Sequence, residues 1–154
     1  MRKIFTILNL ILILTLTHQD LYAQEEKTKE EQKKEYLENI NKDSINGVYI
    51  PIDLNDCIKQ IDGFWTDSIK TQVRKMTEDE FTSKAHFGFG MWMRNNWMLW
   101  GGSRLSKYFN DLGIFHPDDM SGIILTSYHR HLLGLDIKVE EQIQSYKEYW
   151  KKNK

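Results

Sequence analysis

The chain contains one cysteine, Cys57, in 154 residues. A single thiol excludes an internal disulfide framework and any zinc site built on several cysteines. Neither charge is in excess: 21 Lys and Arg stand against 22 Asp and Glu. That balance removes the electrostatic case for nucleic acid as the main partner, because phosphate binding needs basic side chains concentrated on one face. No apolar run is long enough to span a bilayer, which takes roughly 20 residues as a helix. An alternating strand pattern of useful length and an internal repeat are also missing. What is present, 40% hydrophobic and 28% charged residues, is the composition of a soluble globular chain whose length favours one domain.

The N-terminus carries a targeting pattern. Arg2 and Lys3 precede an apolar run from Ile4 to Leu16, interrupted only by Thr6, Asn9 and Thr15. The polar stretch after it ends in Tyr22-Ala23-Gln24, with Ala23 as the small residue before a cut and Leu21 as an imperfect partner two positions earlier. Residues 1–23 therefore read as a signal peptide, with Gln24 as the new N-terminus and export to the periplasm or the exterior. The alternative is an uncleaved N-terminal anchor. With no cysteine after the run, a lipid-anchored lipoprotein is not expected, and no membrane span is expected once the signal is removed.

Residues 24–45 form a second region. Gln24 to Lys42 holds six Glu and five Lys with little apolar content beyond Tyr36, Leu37 and Ile40. Pairs such as Glu30/Lys34 support helix by only ~0.2–0.5 kcal/mol each, so this stretch reads as a charged flexible tether or a frayed helix. From Asn46 the pattern becomes a series of helix starts and stops. Asp53 caps a helix whose Leu54, Cys57, Ile58 and Ile61 share one face, with Gly63 as its expected end. That face buries Cys57. Thr66 starts a second helix expected to reach Met76, and Thr77 with Glu80 forms a capping box for a third. Ser103 caps the helix carrying Leu105, Tyr108, Phe109 and Leu112, which Gly113 ends by turning left-handed. His116-Pro117-Asp118-Asp119 opens another, with proline at the first position and acids at the positive end of the dipole. Gly134 ends it, and Asp136 is expected to cap a last helix striped by Val139, Ile143, Tyr146 and Trp150. The expected fold is all-α: a single compact domain of five to seven short helices from about Asn46 to Trp150, made of a helical domain over residues 46–134 and a C-terminal helix over residues 135–154 docked on it.

The block Met91-Trp92-Met93-Arg94-Asn95-Asn96-Trp97, followed by Leu99 to Leu105, Tyr108 to Ile114 and His116 to Ser121, resembles a small bacterial domain family of unknown function. In that family a segment like Val48 to Cys57 precedes the run. The resemblance spans roughly Asn46 to Leu133. It supplies a family and no mechanism.

Chemistry has three candidate seats. Arg94, Asn95, Asn96 and Arg104 flank the tryptophans, and with Trp100 they offer forked donors, amides and a stacking surface suited to a carboxylate, sugar or peptide. Equally, Arg94 and Arg104 can pair with Asp111, Asp118 or Asp119 to tie helices together. His116, Asp118 and Asp119 place an imidazole beside two carboxylates, the minimum for acid/base work or part of a metal site that His86 or His129 could extend. First-turn aspartates also serve simply as caps, and no HExxH or separated ligand motif accompanies them. Ser103 lacks the strand-to-elbow context of a nucleophile. His129 and His131, two apart on a helix, face different ways. Phe87, Phe89, Trp92, Trp97 and Trp100 lie close together among glycines, and core packing competes there with a binding surface. Trp92 and Trp97 are expected mostly buried and Trp100 at the rim. The sequence thus supports an exported binding or interaction module of the cell envelope, with an unknown envelope protein or small ligand as partner and no metal or cofactor. The alternative is a small hydrolase or metal-dependent enzyme using His116, Asp118 and Asp119.

Overall fold

A computed structural model describes residues 27–153. The signal segment expected over residues 1–23 and the cut before Gln24 lie outside the described residues. Within the charged stretch, residues 27–39 are helical (α1). They cross the boundary between two contact units, Met1–Leu37 and Glu38–Lys154. All that follows lies in the second unit.

The second unit starts with a two-residue hairpin, Ser44–Ile45 (β1) paired antiparallel with Val48–Tyr49 (β2). Asn46 and Gly47 form its turn with φ of +51° and +77°, both left-handed, as a tight hairpin turn demands. It is too short to alter the all-α character. Seven α-helices follow: Leu54–Phe64 (α2), Asp67–Val73 (α3), Glu78–Ala85 (α4), Met91–Asn96 (α5), Arg104–Asp111 (α6), Pro117–Leu132 (α7) and Val139–Lys152 (α8). A π-helical turn, His86–Gly90, joins α4 to α5.

Local chemistry explains most of these boundaries. The side chains of Asp53, Thr66, Thr77 and Ser103 accept from backbone N–H groups three residues on. Thr77 and Glu80 satisfy each other reciprocally, and Ser103 does the same with Ser106. At the end of α6, Gly113 sits at φ +82° and the N–H of Ile114 returns to the Phe109 carbonyl. Gly134, at φ +66°, ends α7 in the same way through Leu135 and Arg130.

Three expected boundaries move. Gly63 lies inside α2, which continues to Phe64 because the break comes at the extended Trp65. α3 stops at Val73, and the chain tightens into i→i−3 bonds from Lys75 and Met76 on its way to the Thr77 box. Asp136 does not cap α8. Its carboxylate accepts from the Lys138 N–H, and the helix starts only after Lys138, a left-handed residue at φ +50°.

α7 is the central element, packed against α2, α4, α5, α6 and α8. Its Met120, Ile123, Ile124, Leu125 and Tyr128 are buried against Ile61, Met93, Trp97, Leu105 and Phe109. Full burial of each such side chain is worth about 1.5–3 kcal/mol. Cys57 is fully buried among them, and burial pushes its thiol well up from its ordinary pKa. Among the described residues no helix is long and apolar enough to cross a membrane.

Candidate functional site

The start of α7 brings together His116, Asp118 and Asp119, and the loop before it fixes how. Once Gly113 has turned the chain, Ile114 folds back into the core, so Phe115 is thrown outward and is 73% exposed. His116 is the N-cap: its Nδ1 accepts from the Asp118 N–H at 3.3 Å. In the neutral ring the proton therefore sits on Nε2.

Asp118 and Asp119 are successive on the helix, so they leave it in different directions. Asp118 faces the α4–α5 side, where Arg94 Nη1 lies 3.1 Å from it and His86 Nε2 3.7 Å away. Arg94 is buried. It also donates to Ser121 Oγ at 2.9 Å and to the His86 carbonyl at 3.3 Å. Asp119 faces α8, where Trp150 Nε1 donates to its Oδ2 at 2.6 Å. Burial raises the Asp119 carboxyl above the usual range, against the opposing indole bond.

Two concavities flank this pair of acids. A smaller one of about 370 Å³ lies on the α4 side, reached by Ser83, His86, Asp118 and Tyr146. The larger, about 540 Å³, lies between the 113–116 loop and the end of α8, lined among others by Phe115, His116, Asp119, Lys147, Trp150 and Lys151. The His116 ring holds its edge together by packing against Trp150 at 5.6 Å and Trp100 at 5.8 Å. Volumes of this size, with apolar walls and a few polar groups, accommodate a small ligand or one end of a chain.

The expected site residues are distributed as follows. Arg94 takes the structural alternative, tied to Asp118. Among the described residues Arg104 pairs with no acid: its Nε donates to the Ile50 carbonyl at 2.6 Å and its guanidinium lies 4.8 Å over the Tyr49 ring. Asp111 pairs with Lys107 instead. Asn96 donates to the Trp92 carbonyl, and Asn95 is exposed on α5. Trp100 is 59% exposed because left-handed Met98, at φ +51°, turns the chain just before it. Of the five, only Trp100 borders the larger cleft, through His116, and the others share no partner with it. Trp97 is fully buried and Trp92 half-buried.

His116, Asp118 and Asp119 stay close in space: His116 Nδ1 lies 3.5 Å from Asp118 Oδ2, while Asp118 also meets Arg94 and Asp119 accepts from Trp150. Among the described residues no three His, Cys, Asp or Glu side chains are grouped to hold a metal ion. His129 is buried with Nε2 at 2.9 Å from the Met76 carbonyl, whereas His131 reaches Asp62 at 3.2 Å.

Phe115, Lys147 and Lys151 are the cleft residues that sequence reasoning missed. Phe115 had a signal, since a residue following the fold-back position of a glycine-ended helix is turned outward. The lysines had none, because only the docking angle of α8 brings them to the cleft. The π turn at His86 was also missed.

A family model described as Domain of unknown function (DUF6794) matches residues 50–132. That segment runs from the end of the hairpin through α7. No curated protein and no solved structure matches the chain.

Proposed function

The chain belongs to the DUF6794 family of domains of unknown function, and from that premise we propose that it is an exported, non-catalytic binding module of the cell envelope. Its ligand seat is the cleft between the 113–116 loop and α8. The observation that carries this reading is the cleft itself: an apolar wall of Phe115 and Trp150, 73% and 40% exposed, is held open beside polar groups at the start of α7. Exposed aromatic rings around a concavity are the usual anchors of recognition. The groups that would serve a hydrolase are already used: His116 as a cap, Asp118 by Arg94 and Asp119 by the Trp150 indole. Export rests on the basic and apolar pattern of residues 2–16 and on Ala23.

Two measurements test it. Mass spectrometry of the protein from its native cell is expected to find Gln24 as the N-terminus, and an intact Met1 in a cytosolic fraction would overturn the export assignment. Retention of envelope components by the immobilised mature protein is expected to drop sharply in Phe115→Ala with the thermal melt unchanged, since the ring contributes little to the core. Undiminished retention would remove the cleft as the seat.

A further inference from the structure

Resting on the cleft as the ligand seat, the donor and acceptor inventory of its walls narrows the ligand class. Lys147 and Lys151 are one turn apart on α8 and both line the cleft. Among the described residues neither ammonium has a hydrogen bond or an ion pair. The Lys147 arm lies over Gly113, where a Cβ would come within 2.6 Å of Lys147 Cε; the missing side chain is what lets the arm lie there. With His116 Nδ1 taken by the Asp118 N–H, its Nε2–H is a third donor without a partner among the described residues. The one carboxylate in the lining, Asp119, already accepts from Trp150. The cleft thus offers donors and no unused strong acceptor apart from the second Asp119 oxygen, beside the apolar faces of Phe115 and Trp150.

We propose that this cleft binds a carboxylate carried on an aromatic or bulky apolar group, either as a free small acid or as the C-terminal residue of a peptide. The carboxylate lies between Lys147, Lys151 and His116, and the apolar group between Phe115 and Trp150. Charge selects a monoanion: two ammonium groups against one carboxylate leave a single positive charge to match. A dianionic phosphate would bring one negative charge more than Lys147 and Lys151 leave to match beside Asp119. A cation would meet both lysines.

The test is a titration of the full chain, observed at the Trp150 indole N–H resonance, which Trp150→Phe identifies among the five tryptophans. The probes are N-acetylphenylalanine, its amide, and Gly-Gly-Phe with free or amidated C-terminus. The acids are expected to bind at least about tenfold more tightly than the amides, the loss expected when a charge-assisted bond is removed. In the double variant Lys147→Gln/Lys151→Gln, which alters only exposed side chains, the preference should shrink to about twofold or less. Tighter binding of the tripeptide than of the small acid assigns the source to a protein C-terminus, and the reverse order to a free acid. Equal binding of acid and amide, or no response to any probe, overturns the proposal. If it fails while Phe115→Ala still loses retained envelope material, the cleft remains the seat and only the carboxylate assignment falls.

Discussion

Trp97 and Trp100 are three residues apart and of the same type, yet they occupy opposite environments. Trp97 is wholly enclosed, with its indole nitrogen buried and without a partner among the described residues, and it packs edge-on to Trp92 at 5.8 Å. Trp100 is pushed out by the left-handed Met98 and touches His116. Trp97→Ala should therefore cost about 3–5 kcal/mol, comparable to the whole stability of many domains. Trp100→Ala should stay within about 1 kcal/mol of the parent, as a change at an exposed position does. Thermal or urea melts of the two variants check this, and equal destabilisation would mean that Trp100 belongs to the core. The sequence reading put Trp97 mostly in the core and Trp100 at the rim, and the exposures agree. What it lacked was the device that separates them, the left-handed Met98, because nothing about methionine signals that conformation.

At the scale of elements, the docking of α8 on α7 decides whether the cleft exists. It depends on Gly122, where an added Cβ would run into the Tyr146 hydroxyl. Two polar contacts help fix α8: Gln142 Nε2 donates to Ser127 Oγ at 3.2 Å and to the Ile137 carbonyl at 2.8 Å. Gly122→Ala should displace α8, at about 1–3 kcal/mol for an overpacked contact. The expected signature is loss of the Trp150-to-Asp119 bond, read as faster hydrogen exchange of the Trp150 indole, while α2 to α7 keep their protection. Unchanged exchange would show that the tyrosine can step aside without moving its helix. The helix starts at Thr66, Thr77 and Ser103 were legible because caps are local chemistry. The start of α8 was not, since Asp136 is an equally good cap two residues too early and the left-handed Lys138 intervenes.

For the whole molecule, the C-terminal half of α7 is locked to α2 through Asp62, which meets Lys70 at 3.1 Å, the Tyr128 hydroxyl at 3.0 Å and His131 at 3.2 Å. Burial pushes this carboxyl up, but the bonds from Lys70, Tyr128 and His131 outweigh it and leave its pKa lowered. A lowered folded-state pKa contributes stability that is present above the unfolded value and lost as pH falls through the folded one. Asp119, raised by burial, acts oppositely: its ionised form is penalised, so its contribution worsens as pH rises from the ordinary carboxylate range through its folded pKa. Asp62→Asn should accordingly lower the melting temperature near neutrality and flatten its fall in acid, whereas Asp119→Asn, which keeps an acceptor for Trp150, should leave the acid side unchanged. Melting temperatures recorded from about pH 3 to 7, the span in which carboxylates titrate, check both. By itself the sequence determined the helical class, the start of most helices, the glycine stops at Gly113 and Gly134, and the burial of Cys57, because caps, stops and apolar spacing act within one or two turns of chain. Only the tertiary structure decided which face each polar residue met: that Arg94 answers Asp118 while Arg104 turns to Ile50, and that Trp150 and two lysines of α8 come to stand beside His116 and Asp119. Those pairings join residues far apart in the chain, and the angle at which α8 packs on α7 sets them.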